Sequence, residues 1–162
     1  MKLEGRPRAE PTDRFVIVAA RFNELVGEAL VDGARRALEE AGAAEPIVVW
    51  VPGALEIAGA ARRLVTAGTP IAGIIAVGAV IRGETDHYEV VATQASAQLA
   101  RLAAEATVPV ANALLTVDSL EQAFDRAGAK HGNKGYEAAL VAVRMADVYR
   151  RIDALKEDDG SC

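Results

Sequence analysis

Cysteine is almost missing from this chain: the only one is Cys162, the final residue. That excludes a disulfide framework and a cysteine-built metal cluster within the chain, and makes the cytoplasm the expected compartment. Aromatic residues are also scarce, at 4% of 162 residues, although 51% are hydrophobic. A core built from this sequence must therefore be mostly Ala, Val, Leu and Ile. No apolar run reaches the ~20 residues needed to cross a bilayer, and 1–14 holds no hydrophobic signal core. Runs of Lys or Arg are absent too, and the net charge is −5, which argues against a nucleic-acid partner. The chain contains neither Gly-x-x-x-x-Gly-Lys-Ser/Thr nor Gly-x-Gly-x-x-Gly, so the common nucleotide-binding loops fail.

What the chain does have is alternation. Four apolar, β-branched runs recur at Phe15–Ala20, Ile47–Val51, Ile71–Val80 and Val108–Thr116. Segments of helical period lie between and after them. Leu25, Ala29, Leu30, Ala34, Ala37 and Leu38 form one stripe; Glu56–Ala67, His87–Ala106, Leu120–Ala127 and Tyr136–Leu155 supply the others. Ala41-Gly42, Pro52-Gly53 and Gly68-Thr69-Pro70 punctuate the boundaries. Strands apolar on both faces, alternating with helices, predict an α/β fold: one three-layer domain with a central four-stranded parallel sheet covered on both faces. The domain is expected to span 14–155. Residues 1–13 find no place in it and read as an arm that is either disordered or paired with a neighbouring subunit. Residues 156–162 read as a flexible tail.

In such a sheet the loops after the strands share one rim, where ligands bind. After the first strand comes Arg21-Phe22-Asn23. Locally, Phe22 is better read as a hydrophobic staple onto the first helix than as a face for stacking a heterocycle. After the second strand, Glu56 falls in the first turn of a helix, either as a plain partner of the dipole or as an acceptor for a polyhydroxyl chain. After the third, Gly83-Glu84-Thr85-Asp86 can aim backbone N–H groups at an anion. His87 follows in the first helical turn, placed to exchange protons with whatever binds there. Asn112 sits inside the fourth apolar run, where a buried amide would need partners. Between the last two helices, Arg126 and Lys134 offer fixed positive charge for a phosphate, whereas Lys130 and His131 read as a solvated loop.

Taken together these segments resemble the lumazine synthases. The resemblance is carried by Arg21-Phe22-Asn23, by 51–57 (Val-Pro-Gly-Ala-Leu-Glu-Ile), by 80–88 (Val-Ile-Arg-Gly-Glu-Thr-Asp-His-Tyr), by 120–128 and by Lys130-His131-Gly132-Asn133-Lys134-Gly135, in the family's order across roughly 14–152. Each motif alone is weak; five in register are specific. The resemblance implies a flavodoxin-like fold and the penultimate step of riboflavin biosynthesis, with no metal and no cofactor. It implies that Phe22 stacks on a pyrimidine, that Ala54, Leu55 and Glu56 hold a ribityl chain, and that Asn23 supports the loop. Ala79, Val80 and Ile81 would line the pyrimidine edge, Glu84 and Thr85 would bind phosphate with Arg126, and His87 would transfer protons. Lys134 would contact the pyrimidine or ribityl region, and Asn112 would come from a neighbouring subunit. The implied partners are small-molecule substrates and other copies of the chain, as pentamers and a sixty-subunit shell, with riboflavin synthase as candidate cargo. Leu55 stands where Phe is common and Ala58 where Pro is common. The alternatives are a binding or shell protein without catalysis, and a receiver module; the latter fails because Arg21-Phe22-Asn23 and Arg82-Gly83 occupy the places of its acidic residues.

Overall fold

The four apolar runs fold as parallel strands: β1 (Phe15–Ala20), β2 (Ile47–Val51), β3 (Gly73–Ile81) and β4 (Val110–Val117). The structure is a computed structural model, and it describes residues 1–158. Helices α1 (Glu24–Glu40), α2 (Ala54–Thr66) and α3 (His87–Glu105) connect successive strands, and α4 (Leu120–Arg126) and α5 (Lys134–Asp158) follow β4. The sheet order is β2-β1-β3-β4, the start of the flavodoxin-type order. One core lies between the sheet and α1, α4 and α5; the other lies between the sheet and α2 and α3. The expected three-layer α/β domain is what forms.

Position in the sheet decides how each strand is buried. β1 and β3 occupy the middle, and every β1 residue and all of β3 but Ile81 is buried. β2 and β4 are edges. Asn112, expected inside the core, is exposed: β4 alternates, burying Ala111, Ala113, Leu115 and Val117 and turning Asn112 and Thr116 outward. Its amide oxygen accepts the Leu114 N–H at 2.8 Å, so the partner it needs is its own strand. Sheet starts are also later than the apolar runs suggest, at Gly73 and Val110: the Ile71 N–H turns back to Thr69 O at 2.9 Å, and Pro109 has no N–H to donate to the ladder.

On α1 the buried stripe runs through Val26, Leu30, Val31, Ala34, Ala37 and Leu38, and Leu25, assigned to it from spacing, is 71% exposed. Glycines in the left-handed region, Gly42 (φ 86°) and Gly68 (φ 69°), stop α1 and α2 as the turn signals predict. Helices α1 and α5 meet backbone to backbone: a Cβ on Gly135 would penetrate the Leu30 carbonyl and come within 2.7 Å of its carbon. Helix α5 continues to Asp158, past the expected end at Leu155; residues 159–162, including Cys162, lie outside the described residues.

The N-terminal arm, which found no place from sequence, docks on its own domain. Ala9 is buried and its N–H donates to Ala41 O at 2.9 Å. Asp147 of α5, 3% exposed, accepts the Arg6 backbone N–H at 3.0 Å, the Arg6 guanidinium at 3.1 Å and Arg151 Nε at 2.9 Å. A carboxylate so surrounded, by Arg6 first and Arg151 after it, is held well below the usual carboxylate range. Its contribution is present above the unfolded value and lost as pH falls through the lower folded one, that is, below about pH 4. Asp147→Ala is expected to free the arm at neutral pH, at a cost of about 1–2 kcal/mol because Arg6 stays solvated. Limited trypsin digestion checks this: cleavage after Arg8 should accelerate, and an unchanged rate would show that the arm is held by something else.

Candidate active site

Every strand of this sheet points its carboxyl end at the same rim, and the rim encloses a cleft of about 490 Å³. Phe22, from the β1–α1 loop, forms one wall. It is 73% exposed, so the staple reading is wrong. The residue a staple would reach, in the fourth helical position, is Gly27, which has no side chain to receive it. The loop is fixed from both sides. The Arg21 guanidinium lies 4.4 Å from the centroid of the Trp50 ring, and Asn23, in the left-handed region (φ 60°, ψ 49°), donates its amide N–H to Ala79 O at 3.0 Å. Asn23 thus supports the cleft from behind without lining it.

The floor is the end of β3, Ala79 to Ile81, and the opposite wall is the start of α2, where Ala54, Leu55 and Glu56 line the cleft. Glu56 Oε2 reaches back over the helix N-terminus, 3.1 Å from where a Cβ on Gly53 would sit. Gly83, Thr85 and His87 close the remaining side. His87 is the first residue of α3, exposed, with its N–H donated to Thr85 Oγ1 at 3.4 Å. Glu84 is exposed beside the cleft and does not line it.

The three helices that start at this cleft share a feature. None of their N-cap residues, Asn23, Gly53 and Asp86, makes a side-chain capping bond, whereas Ser119 caps α4 through Gln122 N–H. Uncapped helix starts leave backbone donors and the positive end of the dipole for a ligand. The surroundings are mostly apolar, so the cleft can hold a planar ring against Phe22 and an anionic or hydroxylated group at the helix ends. No group of three or more His, Cys, Asp or Glu side chains among the described residues is arranged to hold a metal ion. Tyr88 and Val91 also line the cleft. Sequence reasoning passed over both, though Val91 lies one helical turn after His87 and so shares its face.

Three predicted residues lie elsewhere on the chain. Asn112, Arg126 and Lys134 border a second, shallower cleft of about 310 Å³ on the outer side of β4, which shares no lining residue with the first. Arg126, half-buried, donates to Gln122 O at 3.1 Å, and Lys134 pairs with Glu137 at 2.9 Å. Large apolar side chains remain in water between and around the clefts, among them Leu25, Leu55 and Val90.

The family model for 6,7-dimethyl-8-ribityllumazine synthase matches residues 12–150. The chain belongs to the 6,7-dimethyl-8-ribityllumazine synthase family. Among similar curated proteins, the one of that name from Halorhodospira halophila is 44% identical over 153 residues, covering 93% of this chain and 97% of the relative. Its counterparts from Kosmotoga olearia (46% over 154 residues, 94% and 97% covered) and Edwardsiella ictaluri (46% over 149 residues, 90% and 95%) agree. The chain is thus an enzyme with lumazine synthase activity in riboflavin biosynthesis. No helix among the described residues is long and apolar enough to cross a membrane.

Proposed function

We propose that the chain condenses 5-amino-6-(D-ribitylamino)uracil with 3,4-dihydroxy-2-butanone 4-phosphate in the cytoplasm, at sites completed by a neighbouring copy of itself. The products are 6,7-dimethyl-8-ribityllumazine, phosphate and water. One observation carries the reading: on a single chain the cleft with the stacking face and free helix ends shares no lining residue with the cleft that bears the fixed cations. A head-to-tail arrangement brings the first cleft of one copy against the second cleft of the next, and repetition of that contact closes a ring. The ring is a homopentamer, and twelve of them form a sixty-subunit shell with riboflavin synthase as candidate cargo. The exposed apolar residues beside the clefts suit such a contact.

In that arrangement Phe22 stacks on the pyrimidine, whose edge meets the backbone of Ala79, Val80 and Ile81. Glu56 accepts ribityl hydroxyls, with Ala54 and Leu55 alongside. Backbone N–H groups of Glu84 and Thr85 face the phosphate from one subunit and Arg126 from the next, with Asn112 and Lys134 completing the pyrimidine and ribityl wall. The amine of the pyrimidine attacks the ketone and water leaves to give an imine. Phosphate is then expelled to leave an enol that becomes a ketone, and the ribitylamino nitrogen attacks that carbonyl, closing the ring with loss of a second water. His87 moves protons in these steps. Placement of two substrates can supply roughly 7–11 kcal/mol, more than the 10²–10⁴-fold typical of acid–base catalysis. The protein is accordingly a scaffold first and a proton carrier second.

Mixing subunits tests the shared site. Phe22→Ala damages only the first cleft and Arg126→Ala only the second, and each variant alone should turn over slowly. Rings reassembled from both contain some sites with two intact halves, so lumazine absorbance and phosphate release should rise above either parent. No recovery in rings shown by mass spectrometry to be mixed would place both residues in one subunit's site and exclude the proposal.

A further inference from the structure

The end of β3 and the end of β4 meet at a corner that neither cleft explains. The last ladder pair is Ile81 with Val117, and the Arg82 N–H still donates to Val117 O at 2.9 Å. Beyond it the Arg82 side chain gathers three partners, two from α3 and one from the β4–α4 turn. Its Nε donates to Asp118 Oδ1 at 2.9 Å, its Nη1 reaches Glu89 Oε1 at 3.4 Å, and its guanidinium lies 4.5 Å from the centroid of the Tyr88 ring, which lines the first cleft. Arg82 itself lines neither cleft. From Asp118 the bonds continue: its N–H donates to Gln122 Oε1 at 2.8 Å, and Gln122 O accepts from Arg126 Nη1 at 3.1 Å. Contacts thus link the start of α3, through Arg82 and then through separate backbone and side-chain groups of Asp118 and Gln122, to the cation of the second cleft.

We infer that Arg82 is a positioning residue for capture of the phosphate-bearing substrate, holding the 83–87 turn in register with the β4–α4 corner that orients Arg126. The inference rests on the proposed shared site, in which these two elements face the phosphate from adjacent subunits. Each chain's Arg82 then orients part of two neighbouring sites. The fork of a guanidinium, which serves two carboxylates and an aromatic face at once, suits this role and an ammonium does not. Because the pairs are exposed they add little to global stability, so their use lies in geometry.

Steady-state kinetics of Arg82→Gln, Asp118→Ala and the double variant test this, with Arg126→Ala as reference. Each single variant should raise KM for the phosphate-bearing substrate about two- to tenfold, the lower part of the span of couplings inside one hydrogen-bonded network. The double variant should be no worse than the worse single one. The melting temperature, kcat and KM for the pyrimidine should stay nearly constant, a split that a merely structural role would not produce. Equal losses in both KM values, additive losses in the double variant, or an effect of Arg82→Gln that Asp118→Ala does not share would overturn the inference. If Arg126→Ala also leaves the phosphate-substrate KM unchanged, the proposed shared site falls as well; if Arg126→Ala raises it and the other two do not, only the role of Arg82 falls.

Discussion

Gly135→Ala is expected to leave little or no folded protein. The added Cβ would sit inside the Leu30 carbonyl, 2.7 Å from its carbon and 3.0 Å from Leu30 Cα. These are backbone atoms in the middle of α1, so no rotamer change relieves the clash, and α1 and α5 must separate. Ala138, Ala139, Ala142 and Val143 of α5 and Ala34, Ala37 and Leu38 of α1 are buried in the same core. Separation would open a void along that seam as well as strain the backbone. Overpacking at a yielding site costs about 1–3 kcal/mol; here the cost should exceed about 4 kcal/mol, a large share of the 5–15 kcal/mol that holds a typical domain together. Denaturant unfolding of Gly135→Ala beside Gly59→Ala makes the comparison. Gly59 lies in α2, where a Cβ meets nothing within 4 Å, so alanine there should stabilise by about 0.5–1 kcal/mol. Similar midpoints for the two variants would show that the α1–α5 seam yields where the geometry says it cannot.

Arg126→Ala is expected to raise KM for the phosphate-bearing substrate by roughly ten- to a hundredfold, the worth of about 1.5–3 kcal/mol for a hydrogen bond to a charged group. Arg126 is half-buried and already oriented by Gln122 O, so its freedom is reduced before any ligand arrives. The side chain ends α4, and its charge also suits the negative end of that helix, but α4 has only seven residues, so the folding cost should be small. KM for the pyrimidine should change little. His87→Ala should show the opposite profile: kcat falls, within roughly 10²–10⁴-fold, and both KM values hold. An unchanged phosphate-substrate KM in Arg126→Ala, or a complete loss of turnover in His87→Ala with assembly and binding intact, would reverse the assignment of roles.

Strand and helix existence was legible because the apolar periods are strong, and the edges were not because edge status is a property of the assembled sheet. Asn112 shows the difference. Its neighbours are apolar whether β4 is central or peripheral, and only the order β2-β1-β3-β4 tells which face of β4 is left open. Leu25 was misplaced for a related reason: Leu25 and Val26 fit a stripe of similar spacing, and tertiary contact selects Val26. The first cleft could be assembled from sequence because parallel strands must end at one rim. The second could not be located, since nothing in the spacing of Asn112, Arg126 and Lys134 says that they gather on the far side of β4. The docking of the arm on Asp147 was hidden for want of any local signal: Arg6 and Asp147 are ordinary charged residues 141 positions apart.

Asn23 makes two demands on one residue. Its backbone sits in the left-handed region, and its side chain must donate to Ala79 O. Glycine accepts the conformation and has no side-chain amide; aspartate tolerates it and cannot donate when ionised; alanine meets neither demand, and glutamine, lysine and arginine carry a donor on a longer side chain that the left-handed region disfavours. In the space of possible sequences, the pivot that presents Phe22 is therefore a point rather than a region: drift around it is free, and drift through it is closed.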